Sequence, residues 1–277
     1  MGYALRCDGS HAVDLAAVDP RGAGDITKEA GKVEFEALAQ ELGELQELLY
    51  AAGTDALLII LQGMDTSGKD GTIRAVLKDM NPSGVHVWSF KVPTAEERAH
   101  DFLWRHHLQA PVLSTVAVFN RSYYEAVLVE PVQGIVSPEV AVSRYPHIND
   151  FELLLDQSRT FVVKFFLHIS KEEQKERLLA RQAEVEKWWK LSAGDWQERE
   201  RWDQYMAAYQ ATINATATSW APWYVVPADR KWYRNLAVAQ VLAELLRSRR
   251  DGWVAALRER GERELTALRK AGYPSPP

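Results

Sequence analysis

Between Gly63 and Lys69 the chain reads GMDTSGK, the Gly-x-x-x-x-Gly-Lys spacing of a turn that grips phosphate. Glycines let backbone amides approach an anion, the lysine adds a point charge, and the first turn of a following helix adds the positive end of its dipole. The next residue departs from the pattern. Where a Ser or Thr hydroxyl would hold Mg²⁺, the chain has Asp70, and a second carboxylate, Asp65, lies inside the loop. Acids in an anion-binding loop make sense as metal ligands. Mg²⁺ takes oxygen ligands and keeps several waters, so one or two carboxylates are enough. Asp65 can supply the missing ligand, directly or through water. Asp70 fits equally well as a first-turn acid favoured by the dipole alone. Gly63, Thr66, Ser67, Gly68, Lys69 and Asp70 form the phosphate-binding set of this loop.

Two further stretches bear the same stamp. In STVAVFNRSYYE, residues 114–125, an apolar run ends at Asn120 and Arg121. A strand in this position would deliver a carboxylate to the metal. Asn120 can accept only a metal-bound water, or it can simply punctuate the strand, while Arg121 faces the crevice where open α/β sheets bind ligands. In KFFLHISKEEQKERLLARQ, Ser170 caps a helix that carries Arg177 and Arg181 on one face. They are either solvated partners of Glu173 or Glu184, or the cations of a lid closing over phosphates, with Lys187 and Lys190 extending the track.

These residues need a scaffold that brings strand ends together. Apolar runs predict strands at 56–62, 85–90, 115–120, 161–169 and 223–227. Helical patterns lie between them at 71–79, 95–107, 171–185 and 196–216. Near-continuous apolar strands alternating with helices predict a five-stranded parallel sheet sandwiched by helices in an α/β three-layer fold. Residues 1 to about 25 read as an irregular arm, Lys28–Ala52 as a helix capped by Thr27 and ended by Gly53, and residues 236–270 as a charged helix.

Composition bounds the function. The net charge of −5 gives no general pull toward nucleic acid or anionic lipid, so a polyanion must be held by a local cluster. One cysteine makes a disulfide framework and a cysteine zinc site untenable and suits the cytoplasm. No apolar run approaches the ~20 residues of a membrane span, and the N-terminus lacks a signal-type apolar segment. Adjacent histidines such as His106 and His107 point about 100° apart on a helix and are read as structural, as are most of the tryptophans.

Taken together, GMDTSGKDGTIR, PTAEERAHDFLWR, FNRSYYE, RYPHINDFE, KWWKLSAGDWQERERWDQYMAAY and SWAPWYVVPADRKWYRNLAV resemble the polyphosphate kinase 2 family over residues 20–248. The resemblance implies a P-loop kinase-like fold of the thymidylate kinase type with a helical lid at about 171–205. It also implies Mg²⁺-dependent transfer of a phosphoryl group between inorganic polyphosphate and nucleoside mono- and diphosphates, with Mn²⁺ as an alternative ion. It places Asp65, Lys69 and Arg121 in catalysis, and Arg121, Arg177 and Arg181 on phosphate beside the loop. Lys91, Arg105, Asn120 and Glu125 go to the nucleotide, and Asp65 and Asn120 to the metal. Many family members have Asp where Asn120 stands, and the FNRSYYE form looks like the subgroup using both mono- and diphosphates. The expected layout is an arm and helix at 1–54, a catalytic domain at 55–248 and a charged tail at 249–277. A homo-oligomer, dimer or tetramer, is expected, and an ATP-dependent nucleoside or nucleotide kinase is the competing reading.

Overall fold

Seven consecutive residues, Ala56–Gln62, are buried without exception, which only a strand covered on both faces allows. This strand is the middle of the fold. In the computed structural model, residues 2–22, 24 and 26–274 are described, with all their side chains except those of Lys187 and Lys190. The strands are β1 (Leu5–Cys7), β2 (Ala56–Gln62), β3 (Val85–Ser89), β4 (Val116–Asn120), β5 (Thr160–His168) and β6 (Trp223–Pro227). The helices are α1 (Lys28–Ala52), α2 (Lys69–Val76), α3 (Ala95–Ala99), α4 (Trp104–His107), α5 (Glu125–Val132), α6 (Pro138–Gln157), α7 (Lys171–Ala183), α8 (Ala193–Glu200), α9 (Trp202–Thr216), α10 (Lys231–Arg247) and α11 (Arg250–Lys270).

The sheet order is β1-β6-β5-β2-β4-β3, with β2 to β6 paired parallel and β1 antiparallel to β6. The expected five-stranded parallel sheet is therefore corrected to a mixed sheet of six strands. Its extra member, LRC, is too short to show a period and lies in the segment read as an irregular arm. After β2 the chain runs to β3 at the edge, returns as β4 beside β2, then crosses to β5 on the other side. The carboxyl end of β2 thus lies at the point where strand order reverses, the place where open α/β sheets open a crevice.

Helices α1, α2, α10 and α11 pack together, and α5, α6 and α9 form a second group. Thr27 caps α1 by accepting from Ala30 N at 3.2 Å, and Gly53 ends it at φ +71°, a conformation that favours glycine. The tail does not stand apart. Trp253 of α11 is buried and donates to Asp55 at 2.6 Å, and Arg260 donates to Ala51 O at 2.7 Å. The helices read as 95–107, 196–216 and 236–270 are each broken in two, and α5 and α6 were not anticipated. Pro131 and Pro146 sit inside those two helices, where each deletes a backbone donor and blurs the periodic signal.

Candidate active site

Gly63 follows β2 directly and Lys69 opens α2, so the loop is the turn between the central strand and the next helix. All its carbonyls are taken by protein donors. Lys69 Nζ donates to Gly63 O at 2.7 Å and Met64 O at 3.3 Å, and Gln174 Nε2 donates to Asp65 O at 3.3 Å. Arg177 Nη1 donates to Thr66 O at 3.0 Å and Ser67 O at 3.1 Å, Arg234 Nη1 to Ser67 O at 3.2 Å, and Thr72 Oγ1 to Gly68 O at 3.2 Å. With the carbonyls held, the amides of Asp65, Thr66 and Gly68 have no partner among the described residues. The buried Thr66 and Ser67 hydroxyl oxygens also lack one. Unsatisfied polar groups of this kind cost about 1–3 kcal/mol each, and phosphate oxygens are the ligand that satisfies several at once.

One residue past β4, Arg121 N donates to Leu61 O at 3.1 Å, which fixes it level with the end of β2. Its φ of +63° is a left-handed conformation rarely held by a non-glycine residue, and Thr66 at +66° is another. The Arg121 guanidinium donates to Asp65 at 2.7 Å and to Glu125 at 3.4 Å. Burial would raise the Asp65 pKa, but Lys69, then Arg121 and Arg181, outweigh it and hold the carboxyl below the usual range. Burial pushes the Lys69 ammonium down, with Asp65 opposing. Asn120 Nδ2 donates to Asp70 at 2.8 Å, so the two residues of uncertain role are partners.

Beside Arg121 a cavity of about 500 Å³ is lined by Phe90, Lys91, Arg105, Arg121 and Glu125 among others. Lys91, Arg105 and Glu125, three of the four residues expected at the nucleotide, thus share one cavity, while Asn120 is not part of its wall. Arg105 is held by Lys91 O at 2.9 Å and Glu97 at 3.3 Å. His106 is buried against Phe90, as the structural reading expects, and burial pulls its pKa down to about 3, so it is neutral.

The lid cations divide. Arg181 donates to Asp195 at 2.8 Å and is the weakest of the cations that lower the Asp65 pKa. Arg177 faces inward instead. Besides Thr66 and Ser67 it binds Glu173 at 2.7 Å and Ala228 O and Asp229 O at 2.7 Å each. All its donors are committed, which leaves no place in this geometry for the expected phosphate contact. Arg177 braces the loop from behind. Arg177→Ala should therefore lower both kcat/KM and stability, the latter by about 2–4 kcal/mol, since bonds from a charged donor are worth roughly 1.5–3 kcal/mol each and partly overlap. Paired kinetics and denaturant melts check this, and unchanged stability would return Arg177 to the solvated face. The Lys187 and Lys190 side chains lie outside the described residues.

The sequence reading missed Arg234, Gln174, Asp195 and the pair Lys164–Glu152. Arg234 lies on the buried stripe of α10 with Val238 and Leu242, and burial and Arg177 push its pKa down to about 9. A lone charge in such a stripe, like Lys164 inside FVVKFFLH, is the signal that could have found it. Lys164 Nζ binds Glu152 at 2.6 Å, Thr216 O at 2.7 Å and Tyr124 OH at 3.0 Å, and Tyr123 and Tyr124 both donate to Glu152 at 2.8 Å. This buried network pins the turn that carries Arg121 and Glu125.

A strand–loop–helix turn with unpartnered amides at a topological switch point, with Arg121 between it and the 500 Å³ cavity, defines an α/β protein with a turn suited to an anion beside a cleft. The Polyphosphate kinase 2 (PPK2) family profile matches residues 25–251, and the chain belongs to that family. It is 47% identical over 244 residues to the AMP/ADP-polyphosphate phosphotransferase of Meiothermus ruber, covering 88% of this chain and 91% of that protein. It is 47% identical over 221 residues to the ADP-polyphosphate phosphotransferase of Rhodopseudomonas palustris, covering 76% of each. The crystal structure of Polyphosphate Kinase 2 from Arthrobacter aurescens TC1 superposes with a TM-score of 0.84 at 45% identity over 88% of each chain.

Proposed function

We propose that the protein is a kinase that transfers a phosphoryl group between inorganic polyphosphate and nucleotides, AMP and ADP foremost and guanine nucleotides in addition. The observation that carries it is Arg121, which lines the 500 Å³ cavity and at the same time binds Asp65 of the phosphate loop at 2.7 Å. One guanidinium thus stands between a site for an acceptor nucleotide and a site for a phosphate chain. The polyphosphate donor comes from the names of the relatives, which also disfavour the ATP-dependent alternative.

The fold reading is a P-loop kinase of the thymidylate kinase type, with residues 171–205 as lid, an arm and helix before residue 55 and the α11 tail after 248. Positioning and charge neutralisation dominate phosphoryl transfer, and no protein nucleophile is required. The loop amides and Lys69 hold the donor phosphates, Arg121 aligns the acceptor phosphate with them, and Arg181 approaches from the lid. The acceptor phosphate is already ionised at neutral pH, so no strong general base is needed. Among the described residues no cluster of three or more His, Cys, Asp or Glu is placed to hold a metal. The oxygen donors present, Asp65 with Asp70 and the Asn120 carbonyl, still fit Mg²⁺ or Mn²⁺, which need only one or two carboxylates when phosphates complete the shell. Such an ion would neutralise charge on the transferred phosphate.

No helix of the described residues is long and apolar enough to cross a membrane. A cytoplasmic setting and a homo-oligomer remain part of this reading. The latter is supported by edge strand β3, whose Val87 and Trp88 are exposed.

The test is product formation from AMP or ADP with Mg²⁺ and polyphosphate, against ATP or no donor, repeated across a salt series at fixed free Mg²⁺. ATP and ADP should appear with polyphosphate alone. A bound polyanion displaces counterions, so the KM for polyphosphate should rise steeply with salt and that for the nucleotide only weakly. Equal shallow slopes, or turnover with ATP alone as donor, would sink the reading.

A further inference from the structure

We infer that Arg234 is a positioning residue that supplies, from behind the loop, a buried positive charge balanced only when a phosphate chain occupies the front; this rests on the function proposed above. Its guanidinium lies against Gly68 so closely that a Cβ there would collide with Nη1, and Nη2 lies 3.3 Å from where a Gly71 Cβ would stand. The charge therefore sits beneath the last residue of the loop and the first turn of α2, where it adds to the positive end of that helix.

What the guanidinium touches on the protein side is weak recompense for burying it. It is 3% exposed, and its nitrogens reach Ser67 O at 3.2 Å and Asn235 Oδ1 at 2.8 and 3.1 Å. Among the described residues no carboxylate pairs with it, and its charged neighbour is another cation, Arg177. Arg177 differs, because Glu173 balances it at 2.7 Å. Buried charges are ordinarily paired, and a neutral amide could brace Ser67 O without that desolvation. The imbalance is intelligible if the partner is the ligand. The carbonyl that Arg234 holds belongs to the Ser67–Gly68 peptide, whose own N–H, that of Gly68, points the opposite way and has no partner among the described residues, as suits an anion.

The test uses inorganic tripolyphosphate as the probe and the full-length chain with Arg234→Gln and Arg234→Lys. Glutamine keeps a donor for Ser67 O and loses the charge, whereas lysine keeps the charge and loses the planar fork. By calorimetry, Arg234→Gln should bind tripolyphosphate on the order of ten- to a hundredfold more weakly at low salt, the effect of one charge a few ångströms away at an effective dielectric near 20. Arg234→Lys should stay within a few-fold of wild type. AMP affinity should be unchanged in both, since the nucleotide cavity is walled by other residues. Without any anion, Arg234→Gln should melt no lower than wild type, because it removes an unbalanced charge. A glutamine variant that binds tripolyphosphate normally, or that unfolds, would overturn the inference, as would a lysine variant as weak as glutamine. Wild-type protein that binds no tripolyphosphate would instead overturn the reading of the site, and this inference with it.

Discussion

Asp65→Asn should yield a folded protein with kcat reduced by about a thousandfold or more. The carboxylate accepts from Arg121 at 2.7 Å and is the largest countercharge to Lys69, so its loss loosens Arg121, which keeps Glu125, and leaves Lys69 less balanced. It also removes the charged oxygen that fits a divalent ion. A deficit of several kcal/mol in transition-state stabilisation corresponds to about three orders of magnitude. Stability should change by no more than about 1 kcal/mol, since the Asp65 side chain is 26% exposed and its partner Arg121 40%. Because the folded Asp65 pKa is depressed, its contribution is present above the ordinary aspartate range and fades only as pH falls through the lower folded value. Wild-type activity should thus survive mild acidification. Steady-state rates and melts on the same preparation decide the matter; near-normal turnover by well-folded Asp65→Asn would remove Asp65 from the chemistry.

Glu152→Gln is expected to be among the most destabilising single changes in the chain, by about 3–5 kcal/mol. Glu152 and Lys164 are both fully buried and 2.6 Å apart, so deleting one charge strands the other in a low-dielectric interior. Replacing both partners, as Glu152→Gln with Lys164→Met, should recover much of the loss, which denaturant unfolding would show as a large coupling energy. The single variant should also raise the KM for the nucleotide, because Tyr123 and Tyr124 then lose the anchor that holds Arg121 and Glu125 in place. A loss below about 1 kcal/mol would mean that the network is incidental.

The loop, the strand that presents it and the cations at neighbouring strand ends could be read from the chain because each is a local signal. Gly63, Gly68 and Lys69 have fixed spacing, Ala56–Gln62 is an unbroken apolar run, and Arg121 follows another. What stayed hidden depends on contacts distant in sequence. Nothing near Arg177 says that its donors turn inward to carbonyls 111 and 110 residues away. Likewise Lys164 signals a buried charge, but Glu152 lies on α6, a helix masked by Pro146. The strand β1 is only three residues long, and pairing with β6, more than two hundred residues later, is what makes it a strand.

The inward-facing carbonyls of the phosphate loop bear on how such a motif can be moved or inherited. Their donors come from three separate helices: Lys69 and Thr72 on α2, Gln174 and Arg177 on α7, and Arg234 on α10. The twelve residues from 61 to 72 are therefore not a portable cassette. Grafted onto another strand–helix turn, they would keep Lys69 and Thr72 but lose Gln174, Arg177 and Arg234, the side chains that hold the Asp65, Thr66 and Ser67 carbonyls. Within the family, the same arrangement predicts that residues at 174, 177 and 234 vary in concert with the loop rather than with the helices they belong to.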